Sequence, residues 1–419
     1  MTAHRGRRRP DDAGAPRDPY AEGLRRPILA PALATIGLVV AAVFTFSLLT
    51  GSIPFLPTST RSSGARPGSA GLAPRAPGAT PRPDVVVTNK QVEFPGTLVY
   101  VKQGNLWTQT GSDAKQLTKS GTDADPAYSA DGKWIYFVRT KNKRGLFENE
   151  GRPAYYDLNY PILMRIRPDG TGAQELLSGL IEYGGGREWQ AFILDPAPAP
   201  DGKTIALVSD LPNPTKSDVV LQTFNLATKK LTAVPVPETP PLGHQDPAYS
   251  PDGKTLLYVQ NSRNGSRGEP AIWRWLPAKK RFGAMTGPGY VSPSWSPDGR
   301  YVAATKTDSF GTNVVILDAK TGTELVRVTD DDNSWAPTWS PRGDQLVYMH
   351  IDGLAVDLRI VDLTGKGTAL KASESKPLTD FAGLDGASRA TWFVPADQLP
   401  EPSPSATSSV AAPTTSTAP

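Results

Sequence analysis

The chain contains no cysteine. That removes disulfides, thiolate zinc sites, thiol nucleophiles and a lipid-bearing cysteine from consideration. Histidine is nearly as scarce, with three in 419 residues. No P-loop, dinucleotide glycine fingerprint or H-E-x-x-H pair occurs. Between residues 97 and 394 there is no amphipathic helical stretch of useful length, which argues against a helical solenoid.

Charge is also missing where a nucleic-acid binder would need it. The net charge is +4 and the isoelectric point about 9.0. Residues 1–27 carry seven arginines and four acids, and residues 51–96 carry five basic and two acidic residues. Each segment is therefore +3, and everything from residue 97 onward is −2. A nucleic-acid-binding domain should be basic on its folded body, so none is expected.

Ile28 to Thr50 is an uncharged run of 23 residues, ILAPALATIGLVVAAVFTFSLLT. That length matches a bilayer core of roughly 30 Å. Arginines precede it and none lies within it, so the N-terminal tail is expected in the cytoplasm. A cleaved signal peptide is the competing reading. The run exceeds the usual apolar stretch of such a peptide and no clean A-x-A site follows, so a retained signal-anchor is favoured. Residues 51–96 are rich in Pro, Ser, Gly, Ala and Arg and read as a linker. The segment 395–419 reads the same way.

What is abundant is a repeat. Asp125-Pro-Ala-Tyr-Ser-Ala-Asp-Gly132 returns as Asp195–Gly202, Asp246–Gly253, Ser292–Gly299 and Ala336–Gly343. The final glycines are 70, 51, 46 and 44 residues apart. Each phrase precedes an apolar run, with Ile135, Ile205, Leu256, Val302 or Leu346 three residues past the glycine. Pro-Asp-Gly suits a tight hairpin, because it combines a fixed φ, a side chain that bonds nearby backbone and a residue free to take positive φ. The flanking β-branched and aromatic residues suit strands.

A second landmark counts six repeats: Leu117-Thr118, Leu177-Ser178, Leu231-Thr232, Met285-Thr286, Val328-Thr329 and Leu378-Thr379. The sixth unit is built from both ends. Thr97–Val101 matches the strand after the turn, and Ala390-Thr-Trp-Phe-Val394 supplies the strand before it, with Trp392 equivalent to Trp295 and Trp339. Such closure leaves no free sheet edge. The expected fold is all-β: a six-bladed β-propeller over 97–394. The three tryptophans are expected to pack between blades.

On these phrases the chain resembles the TolB-type β-propeller repeat, also called the WD40-like PD40 repeat, with its P-x-W-S-P-D-G turn and terminal L-T. The resemblance spans about residues 97–394 and implies the fold more than the function. The sequence departs from the repeat at Pro198, where Tyr or Trp is usual, and at Arg342, where Asp is usual. TolB has a soluble domain before its propeller. Here the expected span and linker occupy that place, so a Tol–Pal role is not carried over. Related propellers also occur fused to α/β-hydrolases, but the G-x-S-x-G elbow and the additional domain are absent. Ser129–Trp134 resembles a sialidase Asp-box only superficially, and turn formation explains it.

Two groups of residues are candidates for a site. Asp125, Asp195 and Asp246 hold equivalent places at the starts of inner strands, with His244 two residues before Asp246 and Arg389 at the matching place in the last unit. Together they are expected near one mouth of the channel, where they would suit a divalent cation or a cationic ligand. The plainer alternative is that each Asp bonds backbone N–H groups at its own turn. The second group lies in an insertion, 139–161, with Arg139, Lys141, Lys143, Arg144, Phe147, Arg152, Tyr155, Tyr156 and Tyr160. Basic residues with exposed aromatics suit an envelope protein, a peptide or a glycan. A shorter insertion, 179–194, carries Tyr183-Gly-Gly-Gly-Arg-Glu-Trp189.

The sequence thus describes a single-pass cell-membrane protein with an extracytoplasmic propeller that binds without catalysis, using the 139–161 loop. No cofactor is expected beyond the cation that the channel mouth would suit. The alternative is a metal-dependent hydrolase or lactonase-like enzyme at that mouth. A third reading is a spacer with no ligand.

Overall fold

The computed structural model describes residues 80–149, 152–214, 218–237, 243–261, 270–307 and 310–399. The basic tail 1–27, the expected span 28–50, residues 51–79 of the expected linker and the tail from 400 lie outside the described residues. Among the described residues no helix is long and apolar enough to cross a membrane.

Six sheets form a closed ring, antiparallel throughout except where Leu146 pairs in parallel with Arg187. Their inner strands are Thr391–Phe393, Asp123–Tyr128, Ile193–Pro198, His244–Tyr249, Tyr290–Trp295 and Ser334–Trp339, which define blades 1 to 6. Each inner strand touches the next, and the strand of blade 6 touches that of blade 1. As expected, blade 1 is assembled from both chain ends: Leu98 pairs with Trp392.

The second strands are Thr97–Lys102, Ile135–Asn149, Thr204–Ser209, Leu256–Gln260, Tyr301–Thr307 and Gln345–Asp352. Their apolar runs are continuous because both faces are buried. In blade 1, Leu98 and Tyr100 face blade 6, whereas Val99 and Val101 face blade 2. Six apolar clusters result, one in each seam. Each fully buried Leu, Ile or Phe contributes about 1.5–3 kcal/mol to such a seam.

The turn phrase works through its serine and aspartate. Ser129 Oγ donates to Asp131 Oδ1 at 2.7 Å and accepts the Trp134 N–H at 3.0 Å. Blades 4 and 5 repeat this with Ser250–Asp252 and Ser296–Asp298. At the fifth phrase Arg342 interrupts it, and Ser340 Oγ reaches Asp344 Oδ1 at 3.4 Å instead.

The Leu-Thr landmark has an equally local cause. The hydroxyls of Thr118, Thr286, Thr329 and Thr379 accept the backbone N–H of Leu106, Ile272, Val314 and Leu358 at 2.9–3.1 Å. Each closes the end of its blade's third strand, where the ladder stops. Blade 3 departs from the expected register. Its equivalent of the landmark leucine is Val234, which donates to Leu221 O, and Pro235 follows with no hydroxyl. Leu231-Thr232 lies in the outer strand Leu231–Ala233. In blade 2 the third strand runs on past the landmark, so Ser178 pairs with Ile162 within the ladder.

The propeller begins earlier than residue 97. Residues 80–96, expected as linker, pack along the seam of blades 6 and 1, with Val86, Val92 and Phe94 buried. These three apolar residues override the Pro- and Gly-rich composition around them. The body also extends past 394: Gly96 N–H donates to Gln398 Oε1 at 3.2 Å.

Candidate functional site

In blades 2 to 6 the inner-strand ladder shifts register at an X-Pro step. Residue X is left-handed in every case: φ is 51° at Asp125, 52° at Asp195, 50° at Asp246, 52° at Ser292 and 51° at Ala336. A left-handed non-glycine costs about 1 kcal/mol or more, so something must hold it. The bulge turns the backbone N–H of X out of its own ladder and toward the preceding blade.

The preceding blade answers with a side chain. The Asp195 N–H faces the Asp125 carboxylate and favours its charged form. Asp195 Oδ2 accepts the Asp246 N–H at 3.1 Å, and Asp246 Oδ2 accepts the Ser292 N–H at 2.9 Å and its hydroxyl at 3.2 Å. Hydroxyls serve elsewhere: Thr305 Oγ1 accepts the Ala336 N–H at 2.9 Å, and Ser388 Oγ accepts the Asp125 N–H at 3.2 Å. The carboxylates thus tie blade 2 to 3, 3 to 4 and 4 to 5, and the hydroxyls tie 5 to 6 and 1 to 2. The plainer expectation had the right partners, backbone N–H groups, but placed them in the wrong blade.

Asp125, Asp195, Asp246, Ser292 and Ala336 line a central cavity of about 460 Å³. Its wall runs from the bulges to the turn residues Ala130 and Pro251, so it is a funnel toward the turn face. Arg389 lines it too, and its Nη1 donates to Pro293 O at 2.7 Å, linking blade 1 to blade 5 past blade 6. Burial pushes the Asp125 carboxyl up to about 6, against hydrogen bonds from Ser388 and Asp195. Burial and then the neighbouring carboxylates of Asp246 and Asp125 push Asp195 well above the usual range.

His244 does not join them. It is absent from the cavity wall, and both ring nitrogens bind backbone: Nδ1 accepts the Leu221 N–H at 3.0 Å, and Nε2 faces Pro237 O at 2.8 Å. It fills the place of the missing threonine in blade 3. Burial lowers its pKa. Among the described residues no group of three or more His, Asp or Glu side chains is arranged to hold a metal ion. One further cluster, Ser334, His350 and Asp331, escaped the sequence reading. Ser334 Oγ and Asp331 Oδ2 lie 3.0 and 3.4 Å from the same His350 Nδ1. A relay needs them on opposite ring nitrogens, so this is a turn lock rather than a nucleophile.

The 139–161 insertion is not a loose loop. It is a β-hairpin of two 15-residue strands, Ile135–Asn149 and Arg152–Ile166. It extends beyond the inner-strand start, on the face opposite the funnel. Strand alternation divides the candidates. Lys141, Lys143 and Phe147 share one side with Tyr156 and Tyr160, and the 179–194 insertion folds over that side as a second hairpin, Leu180–Tyr183 with Arg187–Gln190. Trp189 lies 4.8 Å from Phe147 and 5.3 Å from Tyr156, ring centre to ring centre. Lys143 pairs with Glu188, Lys141 with Glu175 and Arg187 with Glu148.

So several expected contact residues serve as internal supports. Arg139 forms a two-pronged ion pair with the buried Asp123, at 2.6 and 2.9 Å. Phe147 and Tyr156 are half-buried. Tyr155 lies on the opposite side, 66 % exposed, with the Arg144 guanidinium 5.3 Å from its ring centre. Arg152 is exposed beside the hairpin tip. The pairing of two insertions into one platform had a faint sequence signal, since both interrupted the repeat in neighbouring units.

Comparison with known proteins agrees with this architecture. Residues 187–376 match the family model described as PD40, the TolB beta propeller domain. TolB from Acinetobacter baumannii is similar in structure, with a TM-score of 0.51 at 19% identity, over 72% of this chain and 67% of that one. A putative TolB from Agrobacterium tumefaciens gives 0.44 at 15% identity, over 69% and 91%. An oligogalacturonate lyase from Vibrio parahaemolyticus gives 0.41 at 14% identity, over 68% and 92%. No curated protein matches the chain in sequence. The turn phrases, the strand closure and the match over residues 187–376 make the folded body of this chain a six-bladed β-propeller that resembles the TolB-type PD40 propellers.

Proposed function

We propose that this propeller is a membrane-tethered, extracytoplasmic scaffold that binds a protein partner without catalysis, through the double hairpin of blade 2. The observation that carries the reading is the platform itself. Two insertions in one blade build a projecting surface with its own aromatic core. A surface folded before binding has a lower ordering cost on association. Tyr155 and Arg144 crown it, and Tyr and Arg are the residue types that most often dominate protein interfaces. The uncharged run 28–50 supports the tether, and tethering would raise the platform's local concentration at the membrane. The funnel is the less favoured contact, because its carboxylates already bond the neighbouring blades.

Cross-linking of the full-length chain in its native membrane tests the reading. Partners captured by the wild type should be lost from a Tyr155→Ala, Arg144→Ala chain that melts at the wild-type temperature. Undiminished capture would remove the platform from the function.

A further inference from the structure

The ring closes on its shortest ladder. In blade 1 the inner strand forms three residue pairs with the second strand, Thr97↔Phe393 to Val99↔Thr391, against four in each other blade. This is also the ladder that joins the two ends of the chain. Residues 80–96 lie across the same seam.

Their contacts alternate between the two blades. Toward blade 6, Asn89 N–H donates to Leu378 O at 3.0 Å, Asn89 Nδ2 donates to Pro377 O at 3.1 Å, and Asp380 N–H donates to Val87 O at 2.9 Å. Thr88 and Thr379 form an isolated antiparallel bridge. Toward blade 1, Thr88 Oγ1 donates to Ser112 O at 2.6 Å, and Trp392 Nε1 donates to Pro95 O at 2.8 Å. Phe94 meets the Trp392 ring edge to face at 5.7 Å.

At the start of this segment sits Lys102, the last residue of the blade 1 second strand and 1 % exposed. Its Nζ donates to Arg82 O at 2.5 Å, Val85 O at 2.8 Å and Ala382 O at 2.5 Å. All three ammonium hydrogens therefore have partners, two in the strap and one in blade 6. A buried ammonium without acceptors is costly by several kcal/mol. Lysine and strap thus require each other: the strap shields the charge, and the charge pins the strap.

We propose that residues 80–96 are a peelable clasp over the blade 6–blade 1 seam, locked by the Lys102 ammonium, and that the clasp leaves before any blade when the chain is drawn from its N-terminal side. The direction of the chain makes this so. The strap enters beside Lys102 and runs to Thr97, so a pull from residue 80 meets the Lys102 bonds first and then loosens the remaining bonds one at a time. The blade 1 ladder comes next in line, because only beyond Gly96 does the same pull reach the Thr97–Phe393 pair. For a chain held at its N-terminal side, the seam is where tension is felt.

Two measurements on the full-length chain test the clasp. In hydrogen exchange, Lys102→Met should speed the amides of Asn89 and Asp380 at least ~10-fold while the inner-strand amides of blades 3 and 4 keep their rates. Unchanged strap amides, or an equal rise in every blade, would overturn the lock. In force spectroscopy, pulling between the two chain ends should give an early low-force step of about 60 Å, the contour of the strap. A Thr88→Cys, Thr379→Cys chain, oxidised in this otherwise cysteine-free background, should shorten that step to about 30 Å, the stretch before residue 88, and regain the full length on reduction. A first step of blade length in the reduced chain would overturn the proposal.

Discussion

His244 Nδ1 accepts the Leu221 N–H in blade 3, the same bond that a threonine hydroxyl makes in blades 1, 4, 5 and 6. The residue that looked most like chemistry is thus a substitute for a lost side chain. His244→Ala should leave a buried amide without a partner and a void beside Tyr258, whose ring centre is 5.1 Å away. The expected loss is about 2–4 kcal/mol in urea unfolding, with capture of partners unchanged. A loss under 0.5 kcal/mol would remove this role.

The same histidine sets a pH dependence. Burial holds its folded pKa below the unfolded value, so the unfolded chain binds the proton more readily. The stability it contributes is present above about pH 6.5 and is lost as pH falls toward the folded pKa. Comparing unfolding of the wild type and His244→Gln between pH 7.5 and 5 should show the steeper fall in the wild type.

The carboxylate belt should act in the opposite sense. Asp125 has a folded pKa of about 6, above its unfolded value, so its contribution is greatest below the unfolded pKa and is lost as pH rises through about 6. Asp125→Asn should flatten that part of the profile. Asp195→Asn should keep an oxygen for the Asp246 N–H while removing a buried charge, and its melting temperature at pH 7 should equal or exceed the wild type. Asp195→Ala should be destabilised by about 1–3 kcal/mol. If the asparagine variant is as unstable as the alanine one, the negative charge itself is required.

Arg139 and Lys141 look alike in sequence but should differ sharply when replaced. The Asp123 side chain is fully buried, and Arg139 supplies both of its hydrogen bonds from an ionic partner. Arg139→Ala should cost about 3 kcal/mol, because a buried carboxylate is left unpaired. Lys141 pairs with Glu175 in solvent, and its removal should cost about 0.5 kcal/mol or less. Thermal unfolding of the two variants side by side decides it.

The imperfect turn of blade 6 offers a gain. Arg342 and Asp344 stand where the other turns have Asp and, two residues on, Lys or Arg. Swapping them, Arg342→Asp with Asp344→Lys, should restore the Ser–Asp hydrogen bond and add about 1 kcal/mol. An unchanged denaturation midpoint would show that the Arg342–Asp344 pair already compensates.

The blades were legible because each is written in short-range signals. The turn phrase, the doubly buried strand and the terminal landmark all act within a few residues, and five copies of the phrase with six of the landmark expose the pattern. The strap was hidden because its three apolar anchors, Val86, Val92 and Phe94, are diluted among prolines and find their partners far along the chain. Lys102 gave no signal either, since its acceptors are backbone carbonyls that no sequence displays. In the insertion, composition identified the right segment but not its sides. Only the strand pairing separates Phe147 and Tyr156, which hold the platform up, from Tyr155, which it presents.

The strap begins beside Lys102 at one end of the blade 1 second strand, and Gln398 ends the body beside Gly96 at the other. The chain therefore enters on the platform face and leaves on the funnel face. A sensor chip that grips the protein upstream of residue 80 offers the funnel to the flowing solution. One that grips it downstream of Leu399 offers the platform. The two orientations amount to two different baits made from the same protein.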